Sequence, residues 1–187
     1  MERVLRWHQH QLTLGVRTLV MGVLNVTPDS FSDGGDFSSR HTAIDRALKM
    51  VDEGADIIDV GGESTRPFSE AVPAAQEMAR VLPVIEAIAG KMKIPVSIDT
   101  TKAEVARQAL AAGAAMINDI SALRADPQMG ALAAQQKVPL ILMHMQGTPR
   151  TMQAAPAYDH LVDEIKAFLA EAMARAAAAG VAPEMVM

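Results

Sequence analysis

The chain of 187 residues contains no cysteine, which excludes a disulfide framework and any metal site built from thiolates. It has one tryptophan, one tyrosine, four phenylalanines and a net charge of −5, with no basic stripe, so a nucleic-acid partner is not expected. No apolar run approaches the length of a membrane-spanning helix. The first residues, MERVLRWHQHQ, lack the apolar segment of a secretory signal. We therefore expect no membrane partner and a cytoplasmic location.

Half of the residues are apolar, which is sufficient for one globular core, and we expect a single domain over residues 1–187. The segment 4–18 alternates loosely around a glycine and predicts an N-terminal hairpin. Beyond it, short apolar runs alternate with segments of helical spacing, the first of which has Ser39 as its candidate N-cap. The apolar runs predict buried strands at 19–24, 57–60, 95–98, 115–117 and 140–143.

This regular alternation predicts an α/β fold with a parallel sheet, either an open doubly wound sheet or a (β/α)8 barrel. The first strand is not followed by a G-x-G-x-x-G fingerprint, which weakens the dinucleotide-binding version. Polar residues follow every strand rather than one pair of strands, which favours a barrel. The chain supplies five βα units and, at 184–187, the start of a sixth strand. We therefore expect an incomplete barrel whose C-terminal part is missing.

Each predicted strand ends in residues that carry chemistry. These strand ends are Asn25, the run from Glu63 to Arg66, Asp99, the pair Asn118 and Asp119, and His144. A single strand end of this kind is more simply explained by a structural role, such as a carboxylate that accepts hydrogen bonds from nearby backbone N–H groups. Such bonds are expected because an unpaired buried polar group is costly. Five successive strands that end in this way favour a ligand site at one rim of the barrel.

The residue types at these ends suit an anion joined to a flat heterocycle. Asp and Asn side chains together present acceptors and donors that match ring nitrogens and an exocyclic amine. Arg66, beside two hydroxyl residues, suits a phosphate oxygen. Asn25 offers an oxygen to Mg²⁺, which usually keeps several waters and bridges to a substrate phosphate. Phe31 and Pro67 are candidates for the wall of an aromatic co-substrate pocket.

Five motifs occur in one order at these strand ends: LNVTPDSFSDGG, GGESTRP, SIDT, IND and MHMQGTP. In these motifs the chain resembles the dihydropteroate synthases of folate biosynthesis, from about residue 12 to residue 187. The resemblance implies a transferase that joins 6-hydroxymethyl-7,8-dihydropterin diphosphate to 4-aminobenzoate, giving 7,8-dihydropteroate and diphosphate. It also implies small-molecule substrates, Mg²⁺ as cofactor and a homodimer as one option.

The resemblance further implies a role for each matching residue. Asp99 and Asn118 would hydrogen-bond the pterin ring, and Thr65 and Arg66 would contact the diphosphate and the aminobenzoate region. Asn25 would bind Mg²⁺.

Two carboxylates are the catalytic candidates, Asp99 and Asp33. Asp33 would stabilise positive charge that develops at the pterin methylene. Phe31 and Pro67 would form the wall of the aminobenzoate pocket, where sulfonamide drugs also bind.

Two features depart from the family pattern. Phe68 follows Ser-Thr-Arg-Pro where the family generally has glycine, so a bulky side chain would border the aminobenzoate site or pack on the loop surface. The family's later Asp-Pro-Gly segment and its further basic residues are not found in this sequence. We therefore expect the 187 residues by themselves to be unstable or to aggregate, and to be inactive.

Alternative interpretations remain open at this point. A pterin-binding methyltransferase of the corrinoid type has a similar barrel but needs no diphosphate site, and an inactive truncated fragment would explain the abrupt end. For four further polar residues we favour a structural interpretation over a chemical one: Asp59, Asp119 and His144 inside the fold, and Lys102 as a surface residue at the start of a helix.

Overall fold

The computed structural model describes residues 2–27, 35–64, 71–149, 151–153 and 155–187, with side chains in the first helix described from residue 40 onwards. The chain opens with the predicted hairpin, formed by β1 (Arg3–Trp7) and β2 (His10–Leu14). Trp7 is buried, and its indole N–H donates to the carbonyl oxygen of Ala115 at 2.8 Å. The hairpin therefore packs against the start of a strand in the main sheet.

The main sheet has five parallel strands with a helix after each one, as the alternation predicts. The strands are β3 (Met21–Asn25), β4 (Ile57–Gly61), β5 (Val96–Asp99), β6 (Met116–Asp119) and β7 (Leu140–Leu142). The helices are α1 (Gly35–Asp52), α2 (Ala74–Ala89), α3 (Ala103–Ala111), α4 (Met129–Gln136) and α5 (Leu161–Ala178). Helix α1 begins four residues before Ser39, so the predicted N-cap at Ser39 is wrong.

The strand order identifies the architecture. The sheet runs β3-β4-β5-β6-β7, so every strand pairs with its neighbour in sequence. A doubly wound sheet reverses its order at a switch point, and this sheet does not. The fold is therefore the expected α/β type, five strands of an incomplete (β/α)8 barrel.

The predicted sixth strand is partly correct. A short 3-10 helix, Pro183–Met185, occupies the first half of the predicted segment, because proline at its first position fixes a helical φ. The two residues that follow do extend the sheet, since Val186 forms a parallel bridge with Leu140. The N–H of Met187 also donates to the carbonyl oxygen of Leu140 at 3.0 Å.

One face of the sheet packs against the helices. Gly22 shows which face this is, because a Cβ on Gly22 would meet the Met50 side chain of α1 at 2.8 Å. The side chains that point to this same face form a buried row across the five strands: Leu24, Val60, Ile98, Ile117 and Leu140. These side chains pack with the inner sides of the helices in the core. The opposite face carries the polar residues Asp59, Asp99 and Asn118 beside apolar ones such as Met116.

Several large apolar side chains remain exposed. Val23 of β3 is 58% exposed, and β3 pairs only with β4 among the described strands. Leu161 and Val162, at the start of α5, are 51% and 60% exposed. The helical spacing of Leu161, Ile165, Phe168 and Ala172 predicts one inward face. The exposure of Leu161 shows that this prediction is wrong at that residue. Within the described part of the chain, no helix is long and apolar enough to cross a membrane.

Candidate functional site

A cavity of about 490 Å³ opens at the carboxyl ends of the strands, the edge at which parallel α/β folds bind ligands. Its wall is made from the loops that follow β4, β5, β6 and β7, together with the first turn of α2. The lining residues are Glu63, Ser64, Ala71, Glu77, Asp99, Thr100, Thr101, Ile120, Ser121, Arg124, Ala125, Met145, Gly147, Thr148 and Pro149. Four of the five predicted strand ends therefore contribute to the wall or border it.

The strand register explains why the predicted polar residues come together. Asn25 pairs with Gly61, Gly61 with Asp99, and Asp99 with Asn118, so these four residues form one row across four strands. Residues in one row of a parallel sheet point to the same face. A Cβ on Gly61 would lie 3.6 Å from Oδ1 of Asn25 and 3.3 Å from Oδ2 of Asp99. A side chain at this position would therefore crowd both an amide and a carboxylate, and glycine keeps them unobstructed.

Asp99 is the electrostatic centre of this row. Burial raises its pKa to about 7, and repulsion from Asp59, Glu77, Asp119 and Glu63 adds to the effect. A carboxyl group with this pKa is poised between its acid and its carboxylate near neutral pH. A ligand that donates hydrogen bonds would favour the carboxylate.

Asn118 is oriented by the buried carboxylate of Asp59, which lies on the same face of the sheet two residues before Gly61. Its side-chain amide donates to Oδ2 of Asp59 at 2.9 Å. Burial raises the pKa of Asp59, and contacts with Ser97 and Asn118 oppose that rise. Oδ1 of Asp59 has no hydrogen-bond partner among the described residues. Asp59 therefore supports the site by orienting Asn118, in agreement with the structural role predicted for it. Its Oδ1 can still accept a hydrogen bond from a further donor.

Asp119 has the structural role that the sequence suggests. Its Oδ1 accepts hydrogen bonds from the N–H and the hydroxyl of Ser121 at 2.8 and 2.6 Å. Its Oδ2 accepts one from the N–H of Leu123 at 2.8 Å. The carboxylate thereby holds a tight loop in which Ala122 and Leu123 have positive φ. This loop brings Ser121 and Arg124 to the cavity wall.

Lys102 differs from its prediction as a surface residue. Its Nζ pairs with Oε2 of Glu63 and lies 2.7 Å from Oε2 of Glu77. Only 26% of its side chain is exposed, and Glu77 is completely buried. Burial lowers the pKa of Lys102, but the two carboxylates outweigh burial and raise it. The surface prediction is wrong because both partners are far away in sequence and no local pattern reveals them.

Arg124 is a cavity residue that the sequence reasoning missed. Its guanidinium lies over the ring of Phe168, 4.8 Å from the ring centroid, and donates to the carbonyl oxygens of Ser121 and Met145 at 3.0 and 3.2 Å. His144 contacts the same ring edge-on, with the two centroids 4.8 Å apart. His144 therefore packs among aromatic rings, in agreement with its structural interpretation. The available signal for Arg124 was its place five residues after the fourth barrel strand.

The side chains of this site could hold a metal ion only if substrate and water oxygens supply the remaining ligands. No group of three or more histidine, aspartate or glutamate residues in the described part of the chain is arranged to hold a metal ion. Asn25, at the exposed end of β3, offers a single oxygen beside the space above Gly61. This fits Mg²⁺, which is often bound by one or two protein oxygens, several waters and substrate phosphates.

Six of the predicted site residues lie outside the described residues: Phe31, Asp33, Thr65, Arg66, Pro67 and Phe68. The structure brings together Asn25, Asp99 and Asn118. It also places Glu63 and Ser64, the two residues that precede Thr65, on the wall of the cavity. The assigned roles remain predictions for all of these residues.

Comparison with known proteins gives matches over most of the chain. Residues 21–187 match the family described as "Pterin binding enzyme". The chain is 53% identical over 173 residues to the dihydropteroate synthase of Synechocystis sp., covering 92% of this chain and 60% of that protein. The resemblance found from the motifs is confirmed.

Solved structures of similar proteins share the fold. The dihydropteroate synthase of Xanthomonas albilineans with 4-aminobenzoic acid is 47% identical, with a TM-score of 0.86 over 94% of this chain and 62% of that one. The Yersinia pestis dihydropteroate synthase with a sulfonamide drug complex is 44% identical, with a TM-score of 0.86 over 100% of this chain and 66% of that one.

The chain spans about 60% of the length of the curated relatives that it matches. The match includes the strand ends that carry Asn25, Asp99 and Asn118, because it begins at Met21, the first residue of β3. Together with the barrel and its cavity, this match shows that the chain belongs to the family of pterin-binding enzymes.

Proposed function

We propose that the protein is a dihydropteroate synthase and that this chain supplies its pterin pocket. The observation that carries the proposal is the row of Asn25, Gly61, Asp99 and Asn118 beside the cavity. The names of the relatives support it. The relatives from Synechocystis sp., Xanthomonas albilineans and Yersinia pestis are dihydropteroate synthases, which favours this reaction over transfer of a methyl group.

In this proposal the row recognises the pterin. The carboxylate of Asp99 accepts hydrogen bonds from a ring N–H and the exocyclic amine, and Asn118 binds a neighbouring edge of the ring. Gly61 places no side chain between Asn25 and Asp99, so both remain accessible to a flat ring that lies over the row. Asp59 fixes the direction of the Asn118 amide, so the pocket is oriented before the ligand arrives.

The proposed reaction exchanges one bond at the pterin methylene. The C–O bond to the diphosphate breaks, and the diphosphate leaves with the electron pair. The nitrogen of 4-aminobenzoate forms a C–N bond to the same carbon and then loses one proton. Because the pterin ring shares the positive charge, positioning and charge stabilisation carry most of the catalysis.

Residues outside the described part have the remaining roles in this proposal. Asp33 stabilises positive charge at the methylene, and Thr65 and Arg66 hold the diphosphate and the aminobenzoate region. Phe31 and Pro67 form the wall of the aminobenzoate pocket, with Phe68 beside it. A homodimer remains a prediction of the resemblance, and a cytoplasmic location remains a prediction of the composition.

Mg²⁺ belongs to the proposal as a group that neutralises the departing diphosphate. Asn25 would hold it, through the side-chain oxygen beside Gly61. An Asn25→Ala variant should then need a higher Mg²⁺ concentration for half-maximal turnover while binding the pterin substrate normally. An unchanged Mg²⁺ requirement would remove Asn25 from this role.

The proposed function is tested by incubating the whole protein with 6-hydroxymethyl-7,8-dihydropterin diphosphate, 4-aminobenzoate and Mg²⁺. We expect 7,8-dihydropteroate and diphosphate in equal amounts, and their loss in an Asp99→Asn variant. A second reaction contains methyltetrahydrofolate and cobalamin instead. Methyl transfer there, with no dihydropteroate in the first reaction, would establish the methyltransferase alternative. No product in either reaction would overturn the proposed function.

A further inference from the structure

Lys102, Glu63 and Glu77 form a charge cluster on one wall of the cavity, and the proposed reaction uses none of them. The Lys102 ammonium pairs with both carboxylates. The cluster joins three elements, because Glu63 follows β4, Glu77 lies in the first turn of α2 and Lys102 directly precedes α3. Glu63 and Glu77 line the cavity with Asp99.

Stability alone does not explain this cluster. Glu77 is fully buried, and its Oε1 has no hydrogen-bond partner among the described residues. A buried ion pair is often no more stabilising than apolar side chains of the same volume, because both charges lose their hydration. What such a pair does provide is a fixed direction for each of its members.

The cluster fixes two chain segments on the cavity wall. Oε1 of Glu63 accepts a hydrogen bond from the N–H of Val72 at 3.2 Å, while its Oε2 is held by Lys102. The side chain of Arg80 donates to the carbonyl oxygen of Gly62 at 2.7 Å. The segments 62–64 and 71–72 are therefore joined to each other and to the start of α3.

The same cluster connects this wall to the pterin end of the cavity. Lys102 is three residues beyond Asp99, and its N–H donates to the hydroxyl oxygen of Thr100 at 3.2 Å. Thr100 and Thr101 line the cavity between Asp99 and Lys102. The distance between the wall and Asp99 is thus set by a short and well-bonded piece of chain.

We propose that Lys102 is a positioning residue that, through Glu63, holds the wall formed by Glu63, Ser64 and Ala71 in place for the arylamine substrate. This inference rests on the proposed function, in which the pterin occupies the row that contains Asp99 and Asn118. The arylamine must approach the pterin methylene from the remaining part of the cavity. Misplacement of this wall affects the second substrate and leaves the pterin contacts intact.

The test uses the whole protein and the variant Lys102→Met. We expect the KM for 4-aminobenzoate to rise by about tenfold or more, since a small misplacement of a positioning group can cost roughly a hundredfold in rate. The dissociation constant of the pterin diphosphate, measured without 4-aminobenzoate, should stay within about twofold of the parent value, which is about 0.3 pKd unit. Lys91→Met, which removes an exposed lysine, is the matched control and should change neither value.

Lys102→Met leaves Glu77 buried without its cation, which should destabilise the fold. A double variant therefore separates an effect on stability from an effect on the position of the cavity wall. Lys102→Met with Glu77→Met removes both charges and nearly conserves volume, and it should unfold at or above the parent temperature. Its KM for 4-aminobenzoate should nevertheless remain raised, because Glu63 still lacks its anchor. Lys102→Arg keeps the cation and should restore most of the parent value.

Two results would overturn the inference by itself. One is a parent-like KM for 4-aminobenzoate in the double variant, which would make Lys102 a partner of Glu77 and nothing more. The other is an equal loss of pterin affinity in Lys102→Met, which would mean a general disturbance of the site. An inactive parent protein would instead overturn the proposed function, and this inference with it.

Discussion

The side-chain amide of Asn118 donates a hydrogen bond of 2.9 Å to Oδ2 of Asp59, which lies on the same face of the sheet, two residues before Gly61. Asp59 is only 3% exposed, so this carboxylate is shielded from water and interacts strongly with the amide. The bond directs the nitrogen of Asn118 towards Asp59 and its oxygen away from it. A buried residue thereby decides which hydrogen-bonding group of Asn118 a ligand meets.

Replacement of this carboxylate should therefore weaken pterin binding. In an Asp59→Asn variant, Asn118 loses its charged acceptor, and we expect the pterin affinity to fall by roughly tenfold, the equivalent of one hydrogen bond to a charged group. Isothermal titration calorimetry with the pterin diphosphate measures the change. Asp45→Asn, on the exposed side of α1, is the control. Equal affinities in the two variants would contradict the prediction.

Pterin binding should depend on pH through Asp99. Its pKa of about 7 means that the group is mostly protonated at pH 6 and mostly ionised at pH 8. The carboxylate is the form that accepts two hydrogen bonds, so the affinity should fall as the pH decreases through 7, approaching about tenfold per unit in acid. Fluorescence titrations between pH 6 and pH 8 test this. The slope should vanish in Asp99→Asn, and a constant affinity in the parent protein would refute the assignment.

The same pKa has an opposite consequence for stability. In the folded protein the pKa of Asp99 is raised from 3.8 to about 7, so between these values the folded state binds more protons than the unfolded state. The contribution of Asp99 to the free energy of unfolding therefore decreases as the pH rises through this window. Urea denaturation of the whole protein at pH 5 and pH 8 measures the effect. Asp99→Asn should gain stability over the parent at pH 8, and a gain of equal size at pH 5 would be inconsistent with this cause.

The space above Gly61 should be sensitive to a single methyl group. A Cβ at this position would lie 3.3 Å from Oδ2 of Asp99, closer than most real contacts, and would fill the space between Asn25 and Asp99. We expect Gly61→Ala to reduce pterin affinity by at least about tenfold, with a loss of stability of roughly 1–3 kcal/mol from overpacking. Gly90→Ala is the control, because a Cβ there meets nothing within 4 Å. Parent-like binding by Gly61→Ala would show that the ligand does not use this space.

Phe68 should influence the discrimination between 4-aminobenzoate and sulfonamides. It follows the Ser-Thr-Arg-Pro motif, at a position where the resemblance to the family implies glycine. In a Phe68→Gly variant of the whole protein, we expect the ratio of the sulfonamide inhibition constant to the KM for 4-aminobenzoate to change by a few-fold, the usual effect of small changes in pocket packing. Steady-state inhibition measures both constants. Identical ratios in variant and parent would assign Phe68 to the loop surface.

The strand ends could be predicted because each depends on a short local pattern. An apolar run fixes where a strand is buried, and the first polar residue after it fixes where the strand ends. For Asn25, Asp99 and Asn118 these ends fall in one row, because the register of neighbouring strands is regular. Once the fold is assumed to be a barrel, these three residues are expected to lie close together at one rim.

Other features depend on contacts between distant residues and could not be predicted in this way. Lys102 meets Glu63 and Glu77, which lie 39 and 25 residues earlier in the chain. Arg124 reaches Met145 and Phe168 through the fold of two loops and a helix. The sequence around these residues is ordinary for a helix start and a loop, so only the packed structure assigns them a place.

The row beside the cavity also bears on how inhibitors of this protein could lose their effect. Its members Gly61, Asp99 and Asn118 are strand residues with a paired strand on both sides. A substitution there that evades a bound compound also disturbs the proposed pterin recognition, as Gly61 and Asp99 illustrate. Positions outside the paired strands carry no such constraint. Compounds that compete with the heterocycle should therefore select resistance more slowly than compounds that compete with the arylamine.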